Sequence, residues 1–564
     1  MAGINRVADY IAEYLKALGV KRIYGIIGTS VVDFVDALYD RRSDLRYVSV
    51  RHEQVAVAMA DAEYRSSGQL SAALVHAGPG FLNSLISLGV AYKDKVPLIL
   101  LSGGVKRRLY GTDSWLEVDQ QSIAKSLTRA TVRIDDPEDL ERSLGYLVRT
   151  AFTPPRGPVL LEVPEDLWSK PVPASRLPGG LSDLIPEPAK PPVDIVKEVL
   201  GDLVRASKPL IYATGECVGD GVNSVIDELA ERLGAYVVTS GNGRGACSEV
   251  HPRCLGRVGF GGGSLPADKA FESADYILVL GDELDDIATY AYTVYPEGDI
   301  DIVSENPVVE KRPIYYTRLV KASPYHFALM LLEEARKSGV KEDKKEWDGE
   351  IAGYKSAWEG MLEEAVERRY EGFANPSLFF KKLNDRIDED TIITGGQGTH
   401  IVYTYDFLRI TKPGRFLAAT NLGAMGYAFP AALGAKLANP ESEVIAVVGD
   451  GEFMMTLQDL ETAVREGIPV KVIVVNDNSY RVLLLRQKMQ KSGRVYGTIH
   501  TNPSFEALAR AFGAEGTTVG SDEEIDSAIR DLLEADKPFV LDLLISPEDL
   551  PPLNLEGSLR MAGG

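Results

Sequence analysis

The sequence predicts an α/β protein made of three doubly wound, parallel-sheet domains. Short apolar runs rich in β-branched residues alternate with helix-length segments along the chain. Such alternation is typical of parallel sheets covered by helices on both faces. The chain has 564 residues, and a single core rarely grows beyond about 250–300 residues, so two or three domains are expected.

Two linker-like segments divide the chain into three parts. Residues 170–192 are rich in proline and glycine, and residues 337–350 are charged and poor in apolar side chains. We therefore expect an N-terminal domain over residues 1–170, a central domain over residues 190–338 and a C-terminal domain over residues 365–564.

The apolar runs give the strands expected in each domain, in chain order. The N-terminal domain contains RIYGII, LRYVSV, LSAALVHA, VPLILLSG and GPVLLEVP. The central domain contains PLIYATG, AYVVTSG, DYILVLGD and DIDIVS, and the C-terminal domain contains DTIITGG, EVIAVVGD, VKVIVVND and PFVLDLLIS. Because ligands bind beyond the carboxyl ends of the strands in such sheets, the glycines and carboxylates that end these runs mark candidate sites.

Composition argues against several classes of function. The net charge of −21 disfavours a nucleic-acid binder or a protein held on anionic membranes, because both surfaces would repel the chain. The start of the chain has the pattern of an amphipathic helix and not of a signal peptide, and no run reaches the roughly 20 apolar residues of a membrane span. Three cysteines, Cys217, Cys247 and Cys254, indicate a reducing compartment without a disulfide framework. We expect a cytoplasmic protein.

The segment GDGEFMMTLQDLETAVREGIPVKVIVVND places two carboxylates, Asp450 and Asp477, at the ends of two predicted strands. A right-handed crossover makes these strands parallel, so both carboxylates reach the same edge of the sheet. Two neighbouring carboxylates repel each other unless a cation lies between them, and oxygen ligands favour Mg2+. The alternative is that both aspartates cap turns or helices, which is the commoner role of a lone Gly-Asp-Gly.

The complete unit resembles the fingerprint of thiamine diphosphate-dependent enzymes, in which Gly-Asp-Gly is followed after roughly 25–30 residues by two asparagines. The resemblance implies that Mg2+ is bound by Asp450, Asp477 and the carbonyl of Ser479. One position departs from the pattern, because Asp477 stands where the family usually has asparagine. The same unit implies cofactor contacts at Gly449, Gly451, Glu452 and Phe453.

Glu53 is the candidate for the carboxyl group that thiamine chemistry requires beside the aminopyrimidine ring. It follows a predicted strand and begins an alanine-rich helix in SVRHEQVAVAMADAEYRSSG. The alternative role is stabilisation of the helix dipole by an acidic residue in the first turn. Two further blocks, YGIIGTSVVDFVDAL and HAGPGFLNSLISLGVAYKDKVPLILLSG, resemble the pyrimidine-binding domain of the family. They imply cofactor contacts at Gly28, Gly78 and Asn83.

Two blocks of the C-terminal domain, TGGQGTH and TNLGAMGYAFPAALGAK, also resemble the family. They imply cofactor contacts at Gly398 and Met425, and Met425 corresponds to the large apolar residue that bends the cofactor. The alternative for Met425 is a core methionine. In this family the glutamate and the diphosphate site come from different subunits. The resemblance therefore implies a homodimer or homotetramer with active sites at the subunit interface.

The domain order is that of the acetolactate synthase and pyruvate decarboxylase group, and GTDSWLEVD resembles a segment of acetolactate synthase. The implied reaction is decarboxylation of a small 2-oxo acid, with carboligation of the product. The expected substrate pocket contains Thr29, His76, Leu116 and Arg486, of which the last three depart from the acetolactate synthase pattern. Alternatives are a 2-oxo acid decarboxylase, a 2-hydroxyacyl- or oxalyl-coenzyme A lyase, and a non-catalytic scaffold. Arg481 also departs from the acetolactate synthase pattern, because it stands where the resemblance implies a glycine. For Arg486 and Arg481 the alternative is a solvated helix face.

The central domain carries the glycine-rich segment GRVGFGGGSLPADKAFESADYILVLGDELDD. Acetolactate synthase binds FAD in this domain and the coenzyme A lyases bind an ADP-like group, so the resemblance makes FAD a candidate cofactor. Glycine-rich loops at strand ends are also common without a ligand, and many members of the family bind nothing there.

Overall fold

The computed structural model describes residues 4–173 and 176–553. It contains three six-stranded sheets in which every hydrogen-bonded strand pair is parallel. Helices pack on both faces of each sheet and bury its apolar side chains. The predicted class, α/β with three doubly wound parallel sheets, is confirmed.

The first sheet and its helices lie between residues 7 and 164. The strands are β1 (Arg22–Gly25), β2 (Arg46–Ser49), β3 (Ala72–Val75), β4 (Ile99–Gly104), β5 (Ala130–Arg133) and β6 (Val159–Pro164). The helices are α1 (Val7–Ala17), α2 (Val32–Tyr39), α3 (Glu53–Ser67), α4 (Pro79–Lys93), α5 (Gln120–Ala124) and α6 (Leu140–Phe152). The strand order is β2-β1-β3-β4-β6-β5.

The second sheet lies in the middle of the chain. Its strands are β7 (Pro209–Ala213), β8 (Tyr236–Thr239), β9 (Cys254–Arg257), β10 (Tyr276–Leu280), β11 (Asp299–Val303) and β12 (Arg318–Val320), in the order β12-β11-β10-β7-β8-β9. The helices are α7 (Val193–Arg205), α8 (Val222–Leu233), α9 (Leu265–Ser273) and α10 (Pro324–Ser338). The long helix α11 (Lys345–Glu367) leads to the third sheet.

The third sheet consists of β13 (Ile392–Gly395), β14 (Phe416–Ala418), β15 (Val444–Gly449), β16 (Lys471–Asn476), β17 (Glu515–Val519) and β18 (Phe539–Leu544), in the order β14-β13-β15-β16-β18-β17. The helices are α12 (Pro376–Asn384), α13 (His400–Phe407), α14 (Ala428–Ala438), α15 (Asp450–Phe453), α16 (Leu460–Glu466), α17 (Arg481–Gln490), α18 (Phe505–Phe512) and α19 (Ile525–Glu534).

One apolar core joins the first and third domains. Helix α3 packs against α14, and both helices contribute small buried side chains to this core. The backbones approach so closely that any side chain at Gly434 would clash with the main chain of Met59. The alanine-rich start of α3 thus places Glu53 on an element that faces the third domain.

Five strands lack a matching apolar run in the sequence: β5, β9, β12, β14 and β17. All five lie at the edges of their sheets. Edge strands are often short and only partly covered by helices, so their sequences do not have to be continuously apolar. In β5, for example, none of the four residues is fully buried.

Two expectations from composition are wrong in detail. The charged segment 337–350 is not wholly a linker, since α11 begins within it and buries Trp347 and Ile351 one helical turn apart. Cys247 and Cys254 form a disulfide although the chain has only three cysteines. A count of three excludes complete pairing but does not exclude one local pair. Within the described parts of the chain, every helix is too short or too polar to span a membrane.

Candidate active site

The carboxyl edge of the third sheet brings the two predicted metal-binding aspartates together. β15 and β16 are hydrogen-bonded neighbours with Gly449 opposite Val475. Asp450 and Asp477 directly follow these two strands, and both carboxylates are buried. Burial raises the pKa of Asp477, and the nearby charge of Asp450 adds to this against the opposing charge of Arg481. The edge is therefore a place where a cation would relieve repulsion.

Asp450 is held by side-chain donors from the segment after α17. Its Oδ2 accepts a hydrogen bond from Asn502 Nδ2 at 2.7 Å and lies 3.1 Å from His500 Nε2. Asn502 Nδ2 also lies 3.2 Å from the amide oxygens of Asn476 and Asn478. These contacts fix one carboxylate oxygen and leave Oδ1 without a hydrogen-bond partner among the described residues.

The donor set at this edge fits Mg2+. The described residues contain no group of three or more His, Cys, Asp and Glu side chains placed to hold a metal. A cation here would be held by Asp450, Asp477 and oxygens of the backbone, water or a phosphate. Ser479 lies two residues beyond Asp477 and pairs with Ile499. Such an oxygen-only shell with few protein carboxylates is typical of Mg2+ bound together with a phosphate ligand.

Arg481 supplies a cation to this edge. Its Nη1 lies 3.1 Å from Asp477 Oδ2, and both side chains are only 5 % exposed. The guanidinium also donates to the carbonyls of Ser546, Pro547 and Asp549. Arg481 is therefore a buried ion-pair partner. The two locations that the sequence suggested for it, a substrate pocket and a solvated helix face, do not describe these contacts.

Asp477 and Arg481, two positions at which the sequence differs from what the resemblance implies, meet in space. The resemblance implies asparagine at position 477 and glycine at position 481, where this chain has Asp477 and Arg481. The pair lies at positions i and i+4. The added carboxylate is thus matched by an added guanidinium, and the local charge stays balanced.

Glu452 connects two loops next to this edge. Its Oε1 accepts from the backbone N–H of Gly426 at 3.0 Å, and its Oε2 accepts from that of Gln397 at 2.7 Å. The carboxylate thereby ties the loop containing Gly398 to the loop containing Met425, which is partly buried. The side chain of Glu452 orders backbone and is not free for a ligand.

The other residues of the Gly-Asp-Gly unit differ in their surroundings. Gly451 lies under Tyr480, because a Cβ at this position would be 2.6 Å from the tyrosine ring. Gly449 lies beside His400 in the same way. Phe453 is fully buried, and its ring centroid lies 5.4 Å from that of Phe429 in an edge contact. The structure thus places the Phe453 side chain in the core.

Glu53 begins α3 at the carboxyl edge of the first sheet and is 7 % exposed. Its Oε2 accepts a hydrogen bond from Asn83 Nδ2 at 3.0 Å. Oε1 has no hydrogen-bond partner among the described residues, and a Cβ at Gly80 would lie 3.1 Å from it. Asn83, predicted as a cofactor contact, therefore orients the glutamate, and one oxygen of the glutamate stays available.

The loop before α5 closes over the same edge. A Cβ at Gly78 would lie 2.6 Å from the carbonyl oxygen of Leu116, and Gly78 has a φ of +69° that favours glycine. Leu116 itself has a φ of +73°, which is uncommon for a residue with a side chain. Glu117 accepts from the backbone N–H of Ser114 at 3.0 Å and holds the turn.

The remaining pocket residues lie at different depths. His76 follows β3 and packs against Gly28 near Glu53, whereas Thr29 is exposed at the start of a short helical turn. Arg486 is exposed on α17, and its Nε donates to Gln490 Oε1 at 2.9 Å.

Within one chain, no hydrogen bond or ion pair between described residues joins Glu53 to Asp450, Asp477 or Met425. Their neighbours make the contact between the domains instead. Gln54 Nε2 donates to the carbonyl of Gly426 at 3.2 Å, and the backbone N–H of Arg51 donates to Asp459 Oδ1 at 2.8 Å.

The carboxyl edge of the second sheet is also acidic, but the chain itself fills it. Lys95, from the first domain, lies 2.6 Å from Asp282 Oδ1 and 4.0 Å from Glu283 Oε1. Glu283 also accepts hydrogen bonds from Ser240 and, from the third domain, Asn421. Burial by itself raises the pKa of Glu283. Lys95 and these hydrogen bonds outweigh burial and lower the pKa to about 2.

The chain's own side chains fill much of this second edge, and FAD in the central domain stays a prediction of the resemblance. Asp282 and Glu283 are buried and Glu216 is partly buried, and Lys95 is the cation that pairs with Asp282 and Glu283. The neighbouring cavity has a volume of about 10 Å³, roughly the space that one water molecule needs.

Sequence reasoning missed Lys95, His500, Asn502 and the role of Arg481. Lys95 and its partner Asp282 are 187 residues apart, so no local pattern links them. His500 and Asn502 lie in the segment YGTIHTN, which has no recognisable motif. The signal that was available is the joint departure of Asp477 and Arg481 at helical spacing.

The chain matches three domains of one known protein family. Residues 5–123 match the N-terminal TPP binding domain of thiamine pyrophosphate enzymes, residues 196–311 their central domain, and residues 396–543 their C-terminal TPP binding domain.

Curated relatives match over nearly the whole chain. The chain is 29% identical to the probable acetolactate synthase large subunit of Methanocaldococcus jannaschii, over 97% of this chain and 93% of the relative. It is 29% identical to the acetolactate synthase isozyme 3 large subunit of Escherichia coli, over 93% and 92%. It is 28% identical to the acetolactate synthase large subunit of Haemophilus influenzae, over 98% and 96%.

Proposed function

This chain belongs to the thiamine pyrophosphate enzymes, and on that basis we propose that it decarboxylates a 2-oxo acid and joins the product to a second carbonyl compound. The observation that carries the proposal is the presence of both half-sites in one chain. Glu53 lies at one sheet edge with a free oxygen, and Asp450 and Asp477 lie at another. The relatives named acetolactate synthase support the reaction class.

The residues divide the work between binding and proton transfer. Asp450, Asp477 and the Ser479 carbonyl would hold Mg2+, and through it a diphosphate. When bound, thiamine diphosphate supplies a nucleophilic carbon at C2 and an electron sink. Glu53 would share a proton on Oε1 with a ring nitrogen, because Asn83 already occupies Oε2. The Met425 loop, fixed by Glu452, would support the ring between the two half-sites.

A second copy of the chain is part of the proposal. Large apolar side chains are exposed beside both half-sites, at 41–47 % of their surface. They are Ile27, Leu82 and Ile86 in the first domain and Leu422, Met454 and Met455 in the third. Clustered exposed apolar side chains mark interfaces. We propose a homodimer or homotetramer in which Glu53 of one copy faces Asp450 of another. Sedimentation velocity tests the oligomer, and a monomer with full activity would contradict it.

The activity is tested by turnover on a panel of 2-oxo acids, aldehydes and acyl-coenzyme A compounds, with and without thiamine diphosphate and Mg2+. Exchange of the C2 proton, followed by NMR, tests the machinery separately. Glu53→Gln should slow this exchange by about 10²-fold or more, since glutamine cannot share the proton. Glu333→Gln, on an exposed face of α10, is the matched control and should exchange at the wild-type rate. Exchange at the wild-type rate in Glu53→Gln would contradict the assignment of Glu53 as the residue that shares the proton.

A further inference from the structure

His76 occupies the floor of the half-site that contains Glu53. It follows β3 directly and precedes the Gly78-Pro79-Gly80 turn. A Cβ at Gly80 would lie 3.1 Å from both Glu53 Oε1 and His76 Cβ. The imidazole ring lies against Gly28, where a Cβ would be 2.6 Å from Nδ1. Its position beside the glutamate is therefore fixed by two glycines that leave room for it.

Hydrogen bonds determine which nitrogen of His76 carries the proton. Nδ1 lies 3.3 Å from the backbone nitrogen of Ser30 and 2.8 Å from Ser30 Oγ. The Ser30 N–H can only donate, so Nδ1 accepts. Ser30 Oγ accepts from the N–H of Ala77 at 3.0 Å, which leaves its own proton for Nδ1. The neutral ring therefore carries its proton on Nε2.

Ser30 is itself buried and hydrogen-bonded. It is 1 % exposed, and its carbonyl accepts from Trp168 Nε1 at 2.8 Å. The ring of His76 thus has a fixed direction, with Nε2–H pointing away from Ser30. Nε2 has no hydrogen-bond partner among the residues that the structure describes. Burial lowers the pKa of His76 against the opposing charge of Glu53, which favours the neutral ring with Nε2–H as a donor.

We propose that His76 is a substrate-binding residue whose Nε2–H donates a hydrogen bond to the oxygen on the reacting carbon of the 2-oxo acid. This inference rests on the function proposed above. As a bond forms at that carbon, the electron pair of its C=O moves onto the oxygen, and the hydrogen bond strengthens. A preorganised donor aimed at developing charge is the arrangement that lowers such barriers.

Three variants separate this role from a structural one. His76→Phe removes the donor and should lower kcat/KM for the best 2-oxo acid by about 10²–10³-fold, as loss of one such donor does elsewhere. His76→Gln, whose amide nitrogen can replace Nε2–H, should lose no more than about tenfold. Ser30→Ala should fall between the two, because Nδ1 loses its donor and the ring is no longer held in one tautomer.

A matched control exists in the second domain. His326 Nδ1 lies 2.9 Å from Ser323 Oγ, which is the same side-chain pair far from either half-site. His326→Phe should leave kcat/KM unchanged. The C2 exchange rate should also stay at the wild-type value in every His76 variant, since the donor acts on the substrate and not on Glu53.

The outcomes distinguish this inference from the function beneath it. Wild-type kcat/KM in His76→Phe, or loss of C2 exchange in that variant, overturns the role of His76 while the function stands. Wild-type protein that exchanges C2 but turns over no 2-oxo acid overturns the substrate class named here. Absence of C2 exchange in the wild-type protein overturns the proposed function itself.

Discussion

The second and third sheets end in the same way but serve different purposes. Each presents buried carboxylates beyond the carboxyl ends of neighbouring parallel strands, among glycine-rich turns. At the second sheet, Lys95 crosses from another domain and pairs with Asp282 and Glu283. At the third sheet, Asp477 has Arg481, but Asp450 has only an amide and an imidazole as neighbours. The second edge is closed by a lysine of the chain, whereas at the third edge Asp450 has no lysine or arginine partner among the described residues.

Strand-end carboxylates therefore do not by themselves define a ligand site. What matters is whether the chain supplies the compensating charge. Where a lysine or arginine fills the space, the carboxylates become part of the domain contact. Where it does not, repulsion between carboxylates favours an external cation. The following predictions test each edge against the other.

The largest effect is expected at Asp450. Asp450→Ala should abolish detectable binding of thiamine diphosphate with Mg2+, because the diphosphate is held mainly through the metal. Calorimetric titration measures this directly. Asp282→Asn at the second edge is the comparison and should leave both affinities unchanged. If Asp282→Asn lost the cofactor and Asp450→Ala kept it, the roles of the two edges would be reversed.

Lys95 should show the next largest effect, on stability and not on binding. Lys95→Met leaves buried Asp282 and Glu283 without their cation, and removal of one partner of a buried pair costs about 3–5 kcal/mol. Denaturant unfolding measures the loss. Lys93→Met, at the exposed last residue of α4 and two residues before Lys95, should change the free energy of unfolding by less than about 0.5 kcal/mol. Equal effects of the two substitutions would show that the second edge is not closed by Lys95.

These two edges also show what the sequence could and could not predict. The buried central strands are recognisable in the sequence as apolar runs, and Glu53, Asp450 and Asp477 lie in local motifs. The edge strands are too weakly apolar to be recognised. The ion pair of Lys95 could not be predicted, because its partners lie far from it along the chain. The burial of Arg481 depends on carbonyls at residues 546–549, which no local pattern connects to Asp477. Arg486, which the sequence left undecided, lies exposed on a single chain.

Glu283 makes the closed edge sensitive to acid. Its pKa falls from 4.5 to about 2 in the folded protein. A depressed pKa stabilises the folded state above the unfolded value, and this stability is lost as pH falls from about 4.5 toward 2. The full contribution is about 3 kcal/mol. Glu283→Gln should therefore flatten the dependence of unfolding free energy on pH in this window, as measured by denaturant unfolding at a series of pH values. If Glu283→Gln left the slope of unfolding free energy against pH unchanged, the neighbours of Glu283 would not lower its pKa.

The smallest effect is expected for the ion pair between Arg481 and Asp477 at the edge of the third sheet, where Arg481 neutralises part of the carboxylate charge. If Arg481 balances Asp477, the two should be coupled in a double-mutant cycle of Asp477→Asn and Arg481→Met. Removing either partner alone leaves the other buried and unpaired, whereas the double variant restores balance. We expect a coupling energy of about 1–2 kcal/mol in the metal-free protein. Unfolding with a chelator present measures it.

Mg2+ then discriminates between two roles of Arg481. Added Mg2+ should stabilise Arg481→Met more than wild type, because it replaces the missing positive charge beside Asp477 and Asp450. Arg481→Lys is the control, because lysine keeps the positive charge but lacks the planar guanidinium that donates to three carbonyls. It should keep the response to Mg2+ of wild type but lose stability through the freed carbonyls. A coupling energy near zero, with equal stabilisation by Mg2+ in all variants, would mean that Arg481 only anchors residues 546–549. Asp477 would then carry its charge alone, and the two edges would differ even more than their contacts indicate.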